Sequence, residues 1–249
     1  MNTEAEIRDI FGHLKKLIMI NEEMGIEPPP IPTEALNYPE GGITGKQDKK
    51  KGADNLTSLE TLEALRTFIG DCQRCKLHKG RNNLVFGEGF PNAKLVFVGE
   101  APGREEDIIG RPFVGEAGKL LTKIIENGMG LTREDVYICN VVKCRPPGNR
   151  DPERDEIETC IPFLKQQLSI IKPEVICILG RIAGQALLGG DFKITLKRGT
   201  WHSYMDIPVM PTFHPAYIIR NPSRERELKG QVWEDIKKIM KHQGLPQSP

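Results

Sequence analysis

Three polar side chains stand where a chain of this kind can do chemistry. Glu100 follows the apolar run Leu95-Val96-Phe97-Val98-Gly99, Asn140 falls within Val136-Tyr137-Ile138-Cys139-Asn140-Val141-Val142, and His214 follows the run from Ile207 to Phe213. Short apolar runs bounded by Gly and Pro turns read as buried strands. In an open α/β sheet, ligands bind outside the carboxyl ends of the strands. A carboxylate, a carboxamide and an imidazole on that edge supply a base, a paired donor and acceptor, and a hydrogen-bond donor that can also carry a proton. Singly, each has a duller reading: a solvated strand-end Glu, a turn-capping Asn, a loop His before Pro. Together, each beside a Gly or Pro turn, they argue for one site.

The cysteines form a second constellation. Cys72-x2-Cys75 has the spacing of a metal hairpin, and Cys144 and Cys160 follow far downstream, so a shared site would tie two distant loops together. Four thiolates fit zinc or an iron–sulfur cluster, and spacing does not choose between them. Cys139 and Cys177 sit inside apolar strands and read as core residues.

These residues must be positioned by a scaffold. The 249 residues are 38% hydrophobic and 28% charged, enough for one medium α/β domain with an appendage. A net charge of +1 excludes a global polycation, so nucleic-acid binding has to come from a local basic face. No apolar run is long enough to span a membrane, and Met1 to Asp9 is polar and acidic, so a cytoplasmic protein is the expectation. Cysteines in that compartment are metal ligands or core residues before they are disulfides.

Residues 1–27 carry Ile7, Ile10, Phe11, Leu14, Leu17 and Ile18 at helical spacing and read as an amphipathic helix, open to an unidentified protein partner. Residues 28–57 are rich in Pro, Gly and Lys, including Lys49-Lys50-Lys51, and read as a flexible linker. The folded domain is expected over 58–249. Ser58-Leu59-Glu60-Thr61 resembles a capping box opening a helix to about Ile69. Then follow strands at about 94–100, 136–142, 175–180 and 207–213. Between and after them come a polar loop at 103–115, helices at Glu116–Asn127, Pro152–Ser169, Ile182–Leu188 and Arg224–Lys241, and a hairpin at 193–206 turning at Gly199-Thr200. Strands alternating with helices predict a three-layer α/β/α sandwich around a central, mostly parallel four-stranded sheet. Right-handed crossovers then put Glu100, Asn140 and His214 on one edge.

At these residues the sequence resembles a known family. Gly99-Glu100-Ala101-Pro102-Gly103-Arg104-Glu105-Glu106-Asp107, Arg111-Pro112-Phe113-Val114-Gly115 and His214-Pro215-Ala216-Tyr217 are similar to the motifs of the family 4 uracil-DNA glycosylases, the iron–sulfur glycosylases of bacteria and archaea. The resemblance covers about residues 58–241. It implies a monofunctional enzyme that flips uracil out of single- or double-stranded DNA, hydrolyses the N-glycosidic bond and leaves an abasic site. It implies catalytic roles for Glu100, Asn140 and His214. His214 would donate to uracil O2, Asn140 would read N3–H and O4, backbone N–H groups around Gly99, Glu100 and Ala101 would help hold the base, and Phe113 would stack on it. Other uracil glycosylases carry an aspartate where this chain has Ala101, so Glu100 becomes the expected base for the attacking water, with Asn140 as the alternative residue to position that water. Gly103 is not a bulky ring, so exclusion of thymine falls to Glu105 or Glu106. Ile218 or Ile219 would wedge into the stack, and Arg220, Arg224 and Arg226, with Lys143, Arg145 and Arg150, would meet DNA. The resemblance turns the choice for Cys72, Cys75, Cys144 and Cys160 towards a [4Fe–4S] cluster, zinc being the alternative. The protein is expected to act as a monomer. The competing expectations are a related glycosylase for hypoxanthine, xanthine or mismatched thymine, and a non-catalytic DNA- or polymerase-binding module. The intact Glu100, Asn140 and His214 set counts against the second.

Overall fold

A computed structural model describes residues 56–246. The helix expected over 1–27 and nearly all of the linker lie outside those residues. Four strands make the parallel centre: β2 (Leu95–Gly99), β3 (Tyr137–Asn140), β4 (Val175–Leu179) and β6 (Ile207–Thr212). Every residue of β2, β3 and β4 is buried, because a parallel sheet covered by helices on both sides has no wet face. Two short antiparallel strands, β1 (Glu88–Gly89) and β5 (His202–Tyr204), extend the sheet to six in the order β1-β3-β2-β4-β6-β5. The expected four-stranded sheet is therefore its parallel core, and the edges are additional. A two-residue strand leaves no alternation to read.

Side-chain alternation splits the core in two. Val96, Val98, Ile176 and Ile178 face α1 (Leu62–Ile69), α4 (Arg154–Ile171) and α5 (Arg181–Leu188), and Cys139 lies among them. Leu95, Phe97, Val175 and Leu179 face α3 (Glu116–Lys123) and α8 (Glu225–His242), together with Cys177. Both cysteines are thus core residues, as their strands predicted.

Three local expectations are corrected. Helix α1 is capped by Thr61, whose hydroxyl accepts the Ala64 N–H at 3.1 Å, rather than by Ser58. The 103–115 segment is not all loop: it contains α2 (Arg104–Ile109), opened by the Glu106 carboxylate accepting the Gly103 N–H at 3.1 Å. Six residues are too few to display a helical period. The hairpin joins β5 to β6 through Met205-Asp206, both left-handed with φ of 51° and 61°, the conformation that a tight two-residue hairpin turn demands. Residues Ile194–Lys197 form a single helical turn, α6.

Register sets the site. Gly99 pairs with Asn140 and Leu179 with Thr212, so the parallel strands end level. Beyond β6, Phe213 leads to His214, the N-cap of α7 (Pro215–Ile219).

Candidate active site

The level strand ends open onto a cleft of about 640 Å³ lined by Glu100, Ala101, Glu105, Glu106, Phe113, Asn140 and His214 among others. The three strand-end residues expected to meet do meet. Asn140 is 1% exposed, and its Oδ1 has no hydrogen-bond partner among the described residues. Leaving a buried acceptor unpaired costs about 1–3 kcal/mol, and in native structures such groups call for an explanation. Gly99 lets this happen. A Cβ there would lie 2.4 Å from Asn140 Oδ1 and 2.6 Å from Phe113 Cζ, so only hydrogen fits beneath the amide and the ring.

His214 is held by its own helix. The Ala216 N–H donates to Nδ1 at 3.1 Å, which makes Nδ1 the acceptor and leaves the ring hydrogen on Nε2. Burial pushes its pKa down to about 4, with Arg220 adding to the effect and Glu106 opposing it. Near neutrality the ring is therefore an uncharged Nε2–H donor. It stacks on Phe113 with centroids 5.5 Å apart and 30° between planes. Glu100 moves the other way: burial, then Asp151, raises its pKa from 4.5 to about 7, against Arg181 and Arg220. A carboxyl poised there can accept a proton at working pH.

The loop carrying Phe113 is clasped from within. Glu106 accepts from the N–H groups of Val114 and Gly115, both at 2.9 Å, as well as from Gly103. Glu105 and Glu106 both line the cleft, but Glu106 is already occupied as a brace. Ile219 is 44% exposed and reaches the cleft with Arg220. Ile218 does not: it is 1% exposed and packs in the core with Leu228 and Val232. Consecutive helical residues point about 100° apart, so α7 can offer only one of the two as a wedge. Arg224 is bound to Glu227 at 2.8 and 3.0 Å, Arg145 donates to Asn149 at 2.7 Å, and Arg150 is forked onto Glu156 at 2.7 and 2.9 Å.

Lys143, expected to touch DNA, is instead 1% exposed. Its ammonium donates to the Asn140 carbonyl at 2.8 Å and to Gln167 Oε1 at 2.6 Å, while its backbone N–H meets Cys160 Sγ at 3.3 Å. Residues that sequence reasoning missed include Lys143 in this role and the Asp151–Arg181 pair, 2.5 Å apart on the cleft wall. Arg133, which grips the carbonyls of Pro112 and Phe113, was missed too.

Cys72, Cys75, Cys144 and Cys160 belong to one cluster of packed residues, and none of the four is in a disulfide. Three of the sulfurs receive N–H groups: Cys72 from Arg74 at 3.3 Å, Cys144 from Arg81 at 3.2 Å, and Cys160 from the Lys143 backbone. Cationic and backbone donors aimed at sulfur suit thiolate ligands better than neutral thiols. Among the described residues no three His, Cys, Asp or Glu side chains are grouped so as to hold a metal ion. The donor set, four cysteine sulfurs, suits a thiolate-held centre of zinc or of iron and sulfur. Among the described residues no helix is long and apolar enough to cross a membrane.

Comparison with known proteins agrees with this geometry. The profile of the Uracil DNA glycosylase superfamily matches residues 86–237. A type-4 uracil-DNA glycosylase of Sulfurisphaera tokodaii is 48% identical over 189 residues, covering 73% of this chain and 84% of that protein. The type-4 enzyme of Thermotoga maritima is 48% identical over 184 residues, covering 73% and 94%. That of Archaeoglobus fulgidus is 44% identical over 189 residues, covering 73% and 92%. The matched span runs from the segment before β1 to the middle of α8, and so contains the whole strand-end cleft: this chain belongs to the uracil-DNA glycosylase superfamily, on its type-4 branch.

Proposed function

We propose that the protein excises uracil from single- or double-stranded DNA by hydrolysing the N-glycosidic bond. The observation that carries this reading is the buried Oδ1 of Asn140, without a partner in the protein, in one cleft with the Phe113 ring and the neutral His214 imidazole. Uracil supplies what is missing. Its N3–H meets Oδ1, its O4 meets the amide N–H, its face lies on Phe113, and its O2 receives the His214 Nε2–H. Cytosine presents an acceptor at N3 and a donor at the 4-position, so it leaves the buried amide unpaired and is rejected strongly. A flipped base is the only form of the substrate that reaches such a pocket.

In the reaction, water oxygen bonds to C1′ as the C1′–N1 bond breaks, and the electron pair leaves on uracil, delocalised to O2. The water proton passes to Glu100, whose pKa near 7 suits it as acceptor. His214 donates to O2 without giving up its proton, stabilising the anion as an oxyanion hole does. Glu105 forms the wall that a 5-methyl group would meet, and Glu106 braces the loop behind it. Ile219 serves as the wedge and Arg220 as a phosphate contact. Cys72, Cys75, Cys144 and Cys160 would hold a [4Fe–4S] cluster, which when bound staples the Cys72–Cys75 loop to the segment after β3. One chain supplies every residue named, so a monomer suffices.

The test is abasic-site formation on single- and double-stranded oligonucleotides with one uracil, for the wild type, Asn140→Ala and His214→Ala. Release by the wild type with both variants strongly impaired is expected. No release by cluster-loaded wild type would overturn the reading, and undiminished activity in both variants would move the site elsewhere.

A further inference from the structure

Phe113 occupies a conformation that a large side chain rarely adopts. Its φ is +52°, in the left-handed region that costs a residue with a Cβ. The segment is nevertheless fixed. Gly118 lies so close that a Cβ there would come within 2.0 Å of the Phe113 carbonyl. The ring is 5% exposed, stacked on His214 and crowded against Gly99.

The group that holds it comes from outside the cleft. Arg133 lies in the segment before β3, its side chain only 13% exposed. Nη1 donates to the Phe113 carbonyl at 3.0 Å and to Thr122 Oγ1 at 2.9 Å, and Nη2 donates to the Pro112 carbonyl at 2.8 Å. Nε and Nη2 also meet Glu88 Oε1 at 3.2 and 2.5 Å. These five contacts match the five N–H donors of a guanidinium, so no donor is left over for phosphate or water. Glu88 in turn is shared with Arg111 at 2.7 Å. A planar fork that grips two successive carbonyls fixes the rotation of the peptide between them, which a lysine, a single point of charge, cannot do.

We propose that Arg133 is a positioning residue for base recognition: with Glu88 behind it, it locks the Pro112–Phe113 backbone so that the Phe113 ring is already in place to stack on the flipped base. This rests on the uracil-excision reading for its kinetic consequence, but not for its structural one. Ring stacking on a base is worth about 5- to 150-fold in binding, and it is collected in full only if the ring is fixed beforehand.

The test has two arms on the full-length protein carrying its cluster. In the first, phenylalanine labelled in the ring is incorporated and the Phe113 ring resonance is identified by its loss in Phe113→Leu. The wild-type resonance is expected to be displaced by the His214 ring. In Arg133→Met and Arg133→Lys it is expected to move towards the unstructured value, and in Arg111→Met to stay where it is. In the second arm, kcat/KM for uracil release is expected to fall on the order of 10- to 100-fold in Arg133→Met, with no further fall when Arg133→Met is added to Phe113→Ala. Arg133→Lys is expected not to restore the rate, and it carries both measurements should Arg133→Met fail to fold. An unmoved ring resonance in both Arg133 variants, or losses that multiply with Phe113→Ala, would overturn the proposal. A wild type that releases no uracil overturns the excision reading instead, and the resonance arm still decides the role of Arg133.

Discussion

Glu100 and His214 give the cleft two titrations of opposite sense, and Glu100→Gln separates them. Raising a carboxyl pKa from 4.5 to about 7 corresponds to roughly 3 kcal/mol favouring the protonated folded state. Part of the carboxyl meets solvent, so about 1–2 kcal/mol is the better figure. The sign follows from proton counting. Between 4.5 and 7 the folded state binds more protons at Glu100 than the unfolded chain does, so this contribution to stability is lost as pH rises through 7. His214, lowered from 6.5 to about 4, acts oppositely: its contribution is present above 6.5 and is lost as pH falls through 4. Glu100→Gln removes the first effect alone. It should stabilise the fold by about 1–2 kcal/mol at pH 8, or about 3–6 °C in Tm, and change little at pH 5. The same substitution should lower the rate about 100- to 10,000-fold if Glu100 is the base. Single-turnover uracil release from a single-stranded oligonucleotide, at fixed ionic strength from pH 5 to 9, should rise through an acid limb near 7 in the wild type. That limb should be missing in Glu100→Gln. A wild-type limb only near 4, or a limb near 7 that survives in Glu100→Gln, would refute the assignment, and so would a variant no more stable than wild type at pH 8.

Further outcomes follow from the same geometry. Gly99→Ala should abolish detectable excision, because the new methyl would lie 2.4 Å from Asn140 Oδ1 and 2.6 Å from Phe113 Cζ; a rate within tenfold of wild type would contradict that crowding. His214→Ala should lose about a hundredfold or more through the missing donor, while leaving the acid limb near 7 in place. Asp151→Asn removes a charge that raises the Glu100 pKa and should shift the limb to lower pH. Cys144→Ala or Cys160→Ala should lower bound iron and visible absorbance and reduce Tm, read by metal analysis and calorimetry.

The sequence made the parallel sheet legible because strands buried on both faces are written as unbroken apolar runs such as Val175 to Leu179. It placed Glu100, Asn140 and His214 for the same reason, since each follows directly from where such a run ends. Helix α2 was hidden because six residues, four polar and two isoleucines, are too few to show a period, and β1 because two residues have no alternation. Ile218 and Ile219 were interchangeable on paper. Which one is buried depends on the helical phase fixed by His214 as N-cap. Arg133 gave no signal at all. Its partners lie at Glu88, Pro112, Phe113 and Thr122, and nothing local distinguishes it from a solvated arginine. Lys143 misled by its type: a lysine next to a strand end reads as a surface cation, and only packing reveals it against Asn140, Gln167 and Cys160.

The buried Asn140 Oδ1, which accepts from no group of the protein, has a consequence for how this protein can change over generations. An apolar side chain of similar volume would relieve about 1–3 kcal/mol of unmet hydrogen bonding, so selection for stability alone would remove the amide. Fidelity towards uracil and robustness of the fold therefore pull on one atom in opposite directions. A lineage living at higher temperature would have to find its added stability in the helices and loops far from the strand ends, leaving the buried amide untouched.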